Sequence, residues 1–190
     1  RSNAVFNFTE NDPRRWTDDK AQWMNAEYIR TMPVAELMPF IKPELKATKL
    51  WRDEYEDDDK AWFENTINLI RQRFFTLKDF SSQGRAYFSE DYDFDPAAIE
   101  KNLAKFPDLK TWLPELADRF ETMDSFTEPE IEEVVKAFTE EKDTKLGVIM
   151  NGARTLLTGV AVGPSMLSVF ETLGKERSVL RLRSQIVWNT

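Results

Sequence analysis

Residues 145 to 177, KLGVIMNGARTLLTGVAVGPSMLSVFETLGKER, decide the fold class. Leu146, Ile149, Met150, Ala153 and Leu157 recur at i, i+3, i+4, i+7 and i+11, which lays one apolar stripe along a helix and leaves Arg154 beside it. Thr158-Gly159 and Gly163-Pro164 then bracket Val160, Ala161 and Val162. A helix cannot run through both a glycine and a proline, so a loop is expected there, solvent-exposed in spite of its apolar side chains. A second helix is expected from Pro164 to a stop at Gly174, and a third from Lys175.

The helical period continues outward from this stretch. Thr17-Asp18-Asp19 offers a cap for a helix with Lys20, Trp23 and Glu27 on one face. Pro33 opens a second helix, with Leu37, Phe40 and Ile41 inward and Pro43 as its limit. Asp57-Asp58-Asp59 is expected to cap a longer helix whose Trp62, Ile67, Ile70 and Phe74 face a core, with Arg71 and Arg73 near its end. Thr76 caps a short helix with Leu77 and Phe80 inward, and Ser81-Ser82-Gln83-Gly84 reads as a boundary. Asp95-Pro96 and Pro107-Asp108 each start a helix, the second carrying Trp112, Leu116 and Phe120. Thr127 to Glu130 is a capping box ahead of the stripe Ile131, Val134, Val135 and Phe138, with Lys136 off it. No period-2 pattern of any length is present. The expected fold is all-α, two consecutive small helical bundles over residues 5–84 and 85–190. Residues 1–4 read as the scar of a cleaved tag.

The chain has 190 residues, no cysteine and no histidine. That excludes a disulfide framework, thiolate metal sites and the commonest general base. No apolar run is long enough to cross a bilayer, no secretory leader is visible, and a cytoplasmic protein is expected. A net charge of −8 argues against a polyanionic ligand. Its distribution argues otherwise: Ala86 to Thr144 holds 17 acidic and 6 basic residues, whereas Lys145 to Thr190 holds 2 acidic and 6 basic.

Chemistry without histidine or cysteine would fall to carboxylates, Lys, Ser or Tyr. The acidic runs Glu54 to Asp59 and Glu90 to Asp95 precede helices, where anions complement the N-terminal dipole, and they lack the glycine and closing glutamate of a calcium loop. No catalytic residue and no metal site is expected. The tryptophans read mainly as core; Trp16 and Trp51 fall outside the stripes and fit either a packed hinge or a stacking platform. Arg71 and Arg73 fit either cations at a helix C-terminus or contacts to bases.

Three ordered segments carry a family resemblance. Arg154, Leu157, Thr158, Gly159 and Pro164 followed by Leu173 to Arg177 resemble the R-x-x-L-T-G-x-x-x-x-P segment and L-G-K-E-R helix end of bacterial glutamyl-tRNA synthetases. WMNAEYIR at Trp23 to Arg30 is similar to that family's W-x-N-x-x-Y-I-R helix, and RQRFFTLKDF at Arg71 to Phe80 to its R-x-R-x-x-T-L-x-E-F element. The resemblance implies the paired α-helical subdomains that grip the anticodon loop. Aminoacylation with ATP and Mg belongs to a Rossmann-type domain with HIGH and KMSKR signatures, which this sequence lacks; no cofactor is expected here.

Carried over position by position, the resemblance makes Arg73 the reader of the last anticodon base. It makes Arg154 and Pro164 loop contacts, places further contacts at Gly163 and Met166, gives Lys136 a phosphate partner, and puts Arg71 beside the reader. Gly163 has no side chain, so a contact there would be a backbone one. An unstacked cytosine offers O2 and N3 as adjacent acceptors to a guanidinium, whereas guanine turns N1 and N2 donors toward it. Arginine at 73 thus implies the type that discriminates a glutamate anticodon ending in C from a glutamine anticodon ending in G. The expectation is a monomeric anticodon-binding region for glutamate tRNA, binding neither DNA nor membrane. Its rival is a helical protein-interaction module docking a basic partner on the acidic surface.

Overall fold

A computed structural model describes residues 19–188. The expected tag scar, Trp16, the Thr17-Asp18 cap and the side chain of Lys20 lie outside the described residues. Among the described residues the fold is all-α, with no strand. Helices α1 (Asp19–Thr31), α2 (Val34–Ala47) and α3 (Lys60–Ile70) form the first part. Short α4 (Arg85–Phe88) and α5 (Pro96–Ile99) lead into α6 (Leu109–Glu121) and α7 (Glu128–Glu141). Then come α8 (Leu146–Thr158), α9 (Met166–Leu173) and α10 (Lys175–Leu182).

Where a cap and a stripe coincide in the sequence, the helix forms as expected. In α7 the Thr127 side chain and the Glu130 carboxylate bond back to one another's backbone, and Ile131, Val135 and Phe138 are fully buried while Val134 is half-buried. The Asp95 carboxylate accepts from the Ala97 amide at 2.9 Å with Pro96 at the first helical position. That helix passes into a π-helical turn at Glu100–Ala104, which buries Asn102 so that its amide donates to Thr155 Oγ1 at 3.1 Å.

Elsewhere packing overrides local rules. Helix α2 runs on past Pro43, and Pro39 and Pro43 lie four apart on one exposed face, where their missing amide donors cost least. Phe40, expected inward, is 55% exposed beside them. Helix α3 stops at Ile70 and tightens into a 3₁₀ turn at Arg71–Arg73, so Phe74 is buried from an extended segment instead of the helical stripe. Helix α9 opens at Met166, with Pro164 and Ser165 ahead of it.

One continuous apolar cluster runs from Ile29 to Val187. Helix α8 is buried along most of its length: Gly152, Thr155, Leu156 and Thr158 are buried along with the expected Ile149, Ala153 and Leu157, while Leu146 at the start is exposed. Trp51, Tyr55, Trp62, Phe63 and Phe88 pack edge-to-face and stacked, and the Trp62 indole donates to the Thr172 carbonyl of α9 at 2.8 Å. Trp51 thus packs against Tyr55 and Phe63, and its indole donates to Asp53 at 3.1 Å.

A buried cation fastens α10 to this core. Arg181, 3% exposed, donates to the carbonyls of Leu157, Ala86 and Ser89 and to both oxygens of Glu90, and lies over the Tyr92 ring at 4.5 Å. Arg177 adds bonds to Glu90 and to the Ala86 and Tyr87 carbonyls. The last turn of α8 and the short α4 are thereby held at fixed distance, and both border the cavity described next.

Candidate nucleic-acid interface

Four separate pieces of chain meet around a cavity of about 360 Å³. Arg30 comes from α1, and Ile70, Gln72, Arg73, Phe74 and Phe75 from the end of α3 and the turn after it. Gln83 and Tyr87 come from α4 and the turn before it, and Thr158, Val160, Val162, Gly163 and Pro164 from the end of α8 and the loop after it. No carboxylate lines it among the described residues, although the chain carries 34 acidic side chains.

Glycine makes the loop possible. Gly159 has φ +74°, a conformation that disfavours any residue with a Cβ, and a Cβ there would fall 2.0 Å from the Asp93 carbonyl oxygen. The chain is pinned at that approach, since the Gly159 carbonyl accepts from the Asp95 amide at 2.8 Å. From this fixed base the loop climbs outward until Val162 is 61% exposed. The exposed loop expected from sequence is thus buried at Gly159 and open at Val162.

The expected site residues divide by position. Arg73 is exposed on the cavity wall, with no hydrogen bond or ion pair to its guanidinium among the described residues. Gly163 and Pro164 also line the cavity. Arg154 lies behind Gly163, half-buried, with Nη1 buried and unpaired. Burial pushes its guanidinium below the usual arginine range; Tyr87 opposes this, and the positive charge of Arg73 adds to it. Arg71 turns inward and donates to the carbonyls of Met32 at 2.5 Å and Ile29 at 3.5 Å, tying the 3₁₀ turn to the end of α1. It therefore sets the position of Arg73 two residues on.

Met166 and Lys136 stand apart. Met166 is 4% exposed in the core at the start of α9. Lys136 is exposed on α7, paired with Glu132 at 2.7 Å, and does not line the cavity.

Sequence reading does not pick out Arg30, Phe75, Gln83 or Tyr87 as parts of this wall. Phe75 has a signal, an aromatic residue close behind the arginine pair, and it is 50% exposed. Tyr87 has none; it is 3% exposed with an unpaired hydroxyl, and burial pushes it up to about 12 against the opposing charges of Arg154 and Arg181. An electropositive wall, an exposed ring and an apolar loop tip together suit an unstacked base and its phosphates. Among the described residues no group of acidic side chains could hold a metal ion, and no helix is long and apolar enough to cross a membrane.

Comparison with known proteins gives this geometry its relatives. The chain is similar to the glutamate–tRNA ligase of Desulfotalea psychrophila, 46% identical over 96% of the chain and 37% of that relative. It is also similar to a glutamate–tRNA ligase of Thermus thermophilus, 35% identical over 86% of the chain and 33% of that relative. It thus spans about a third of these relatives' length. The solved glutamate tRNA ligase of Elizabethkingia meningosepticum shares the fold, with TM-score 0.71 and 24% identity over 90% of this chain and 32% of that one. The family described as "Anticodon binding domain" matches residues 33–186. That match takes in the Arg71–Arg73 turn, Tyr87, Arg154 and the whole Gly159–Pro164 loop, and the chain belongs to the anticodon-binding domain family.

Proposed function

We propose that the chain binds the anticodon loop of glutamate tRNA, serving a glutamate–tRNA ligase of which it is the anticodon-reading part. The observation that carries this is the cavity: Arg30 and Arg73 on its wall, Arg154 behind it, and no carboxylate lining it in a chain of net charge −8. Arg73 presents a forked donor to the last anticodon base, and Phe75 and Val162 offer apolar surface to unstacked neighbours. Arg71 holds the turn that carries the reader, and Lys136 meets the phosphate backbone away from the cavity. Met166 supports the loop from beneath, since its side chain is in the core. The binding step needs no cofactor; ATP and Mg serve the aminoacylation that the longer relatives are named for. The reading further takes the chain to act as a monomer in the cytoplasm.

The test is binding of labelled glutamate and glutamine tRNAs across a salt series. Affinity for glutamate tRNA is expected to exceed that for glutamine tRNA at every salt concentration and to fall steeply with added salt. Equal affinity for the two tRNAs at all salt concentrations would overturn the reading.

A further inference from the structure

Gly163 and Arg154 occupy one another's space. A Cβ built on Gly163 would lie 2.8 Å from Arg154 Nη1 and 3.9 Å from its Cζ, and it would meet nothing else within 4 Å. The absent side chain is therefore what admits the tip of the guanidinium beneath the loop. There Nη1 is buried without a hydrogen-bond partner, as is the nearby Tyr87 hydroxyl. Arg154 is not among the residues lining the cavity, although the loop that covers it is. A ligand in the cavity cannot reach Nη1 in this arrangement, and a buried unpaired donor is a costly state that any accessible acceptor would relieve.

We propose that Arg154 is a retractable contact, withdrawn under Gly163 in the free chain and swung into the cavity when an acceptor oxygen enters, with Gly163 setting the balance between the two positions. The ligand rests on the anticodon-loop reading and is a base carbonyl or phosphate oxygen of that loop. A state that withholds a donor lowers apparent affinity by the fraction of molecules holding it ready. Position 163 is then a determinant of affinity although it has no side chain of its own. The backbone of Gly163 is not in the left-handed region, so an added methyl group brings no dihedral strain. Its only close neighbour is the far end of a flexible side chain. Gly163→Ala therefore displaces the guanidinium and leaves the fold alone.

The experiment compares the wild-type chain, Gly163→Ala, Arg154→Ala and the double variant. One readout needs no ligand: the side-chain guanidinium NMR signal of Arg154, assigned by its loss in Arg154→Ala. It is expected to shift toward the solvent-exposed position, with faster proton exchange, in Gly163→Ala. The second readout is the Kd for a synthetic anticodon stem-loop ending in C. Gly163→Ala is expected to tighten binding on the order of tenfold, as when a minor competent state becomes the major one, and to have no effect in the Arg154→Ala background. An unmoved Arg154 signal overturns the proposal, as does tightening that persists without Arg154, or weaker binding in Gly163→Ala. Failure of the anticodon reading looks different: no variant, wild type included, binds the stem-loop, and the assigned ligand falls even though the shifted signal upholds the retraction.

Discussion

At the scale of single residues, the proposed anticodon reading places base discrimination on Arg73. Arg73→Gln is expected to cost about 1–3 kcal/mol against the C-ending anticodon and much less against the G-ending one, the range for a good side-chain-to-base pair. Equal losses for both tRNAs would reduce Arg73 to a general cation. Gly159 is the structural counterpart: its φ of +74° and the Asp93 carbonyl beside it leave no room for a methyl group. Gly159→Ala is expected to lower unfolding stability by about 2–4 kcal/mol, measured by urea denaturation. Glu90 gives a pH signature. Burial pushes its carboxyl upward, but the Arg181 and Arg177 hydrogen bonds and charges outweigh it and hold the group below the usual carboxylate range. Stability from this clasp is therefore full above the unfolded value of about 4.3 and lost as pH falls through the lower folded one. Wild type should lose stability more steeply than Glu90→Gln between neutral pH and the onset of acid unfolding; parallel curves would detach Glu90 from the clasp. Arg73, Arg154 and Pro164 are legible in the sequence because each sits in a spaced motif. Tyr87 is not, because its place on the wall comes from what folds against it; Arg30 stands in a spaced motif too, but nothing in that motif places it on this wall.

At the scale of elements, caps are the most legible features and helix interiors the least. Thr127 and Glu130 form the reciprocal cap their spacing announces. Thr127→Ala is expected to cost about 1 kcal/mol, read from the thermal or urea midpoint. Helix α2 outruns its expected limit because proline is counted as a helix stop, whereas two prolines on one exposed face leave the buried face of Val34, Leu37, Ile41 and Leu45 intact. Burial of four large side chains outweighs two missing amide donors turned toward water. The end of α2 carries a cost that no sequence rule exposes: Lys49 has φ +61° where glycine would be unstrained. Lys49→Gly is expected to raise stability by up to about 1 kcal/mol in urea denaturation, the reverse of the usual sign for a glycine substitution. The segments around Phe74 and Leu103 depart from the helical period for a shared reason. A 3₁₀ or π turn shifts the buried face by a fraction of a turn, and only tertiary packing selects it.

At the scale of the whole molecule, the all-α class and the order of helices can be read from periodicity, and the cavity cannot. Its walls come from residues as far apart as Arg30 and Pro164, and nothing within either segment names the other. The same holds for Arg181, which no local pattern marks as buried and which is bonded to three backbone carbonyls and to Glu90. Its partners at Ala86, Ser89 and Glu90 lie more than ninety positions earlier. That separation matters while the protein is being made. At ribosomal rates of roughly 5–20 residues per second, the carbonyls of α4 wait on the order of 5–20 s before Arg181 exists to receive them. Over that interval the nascent chain holds α1 to α3 and their aromatic cluster without the clasp that fixes Tyr87 and the end of α8. The part of the cavity that bears Arg73 can therefore form early, and the part that the Gly159–Pro164 loop lines takes its place last.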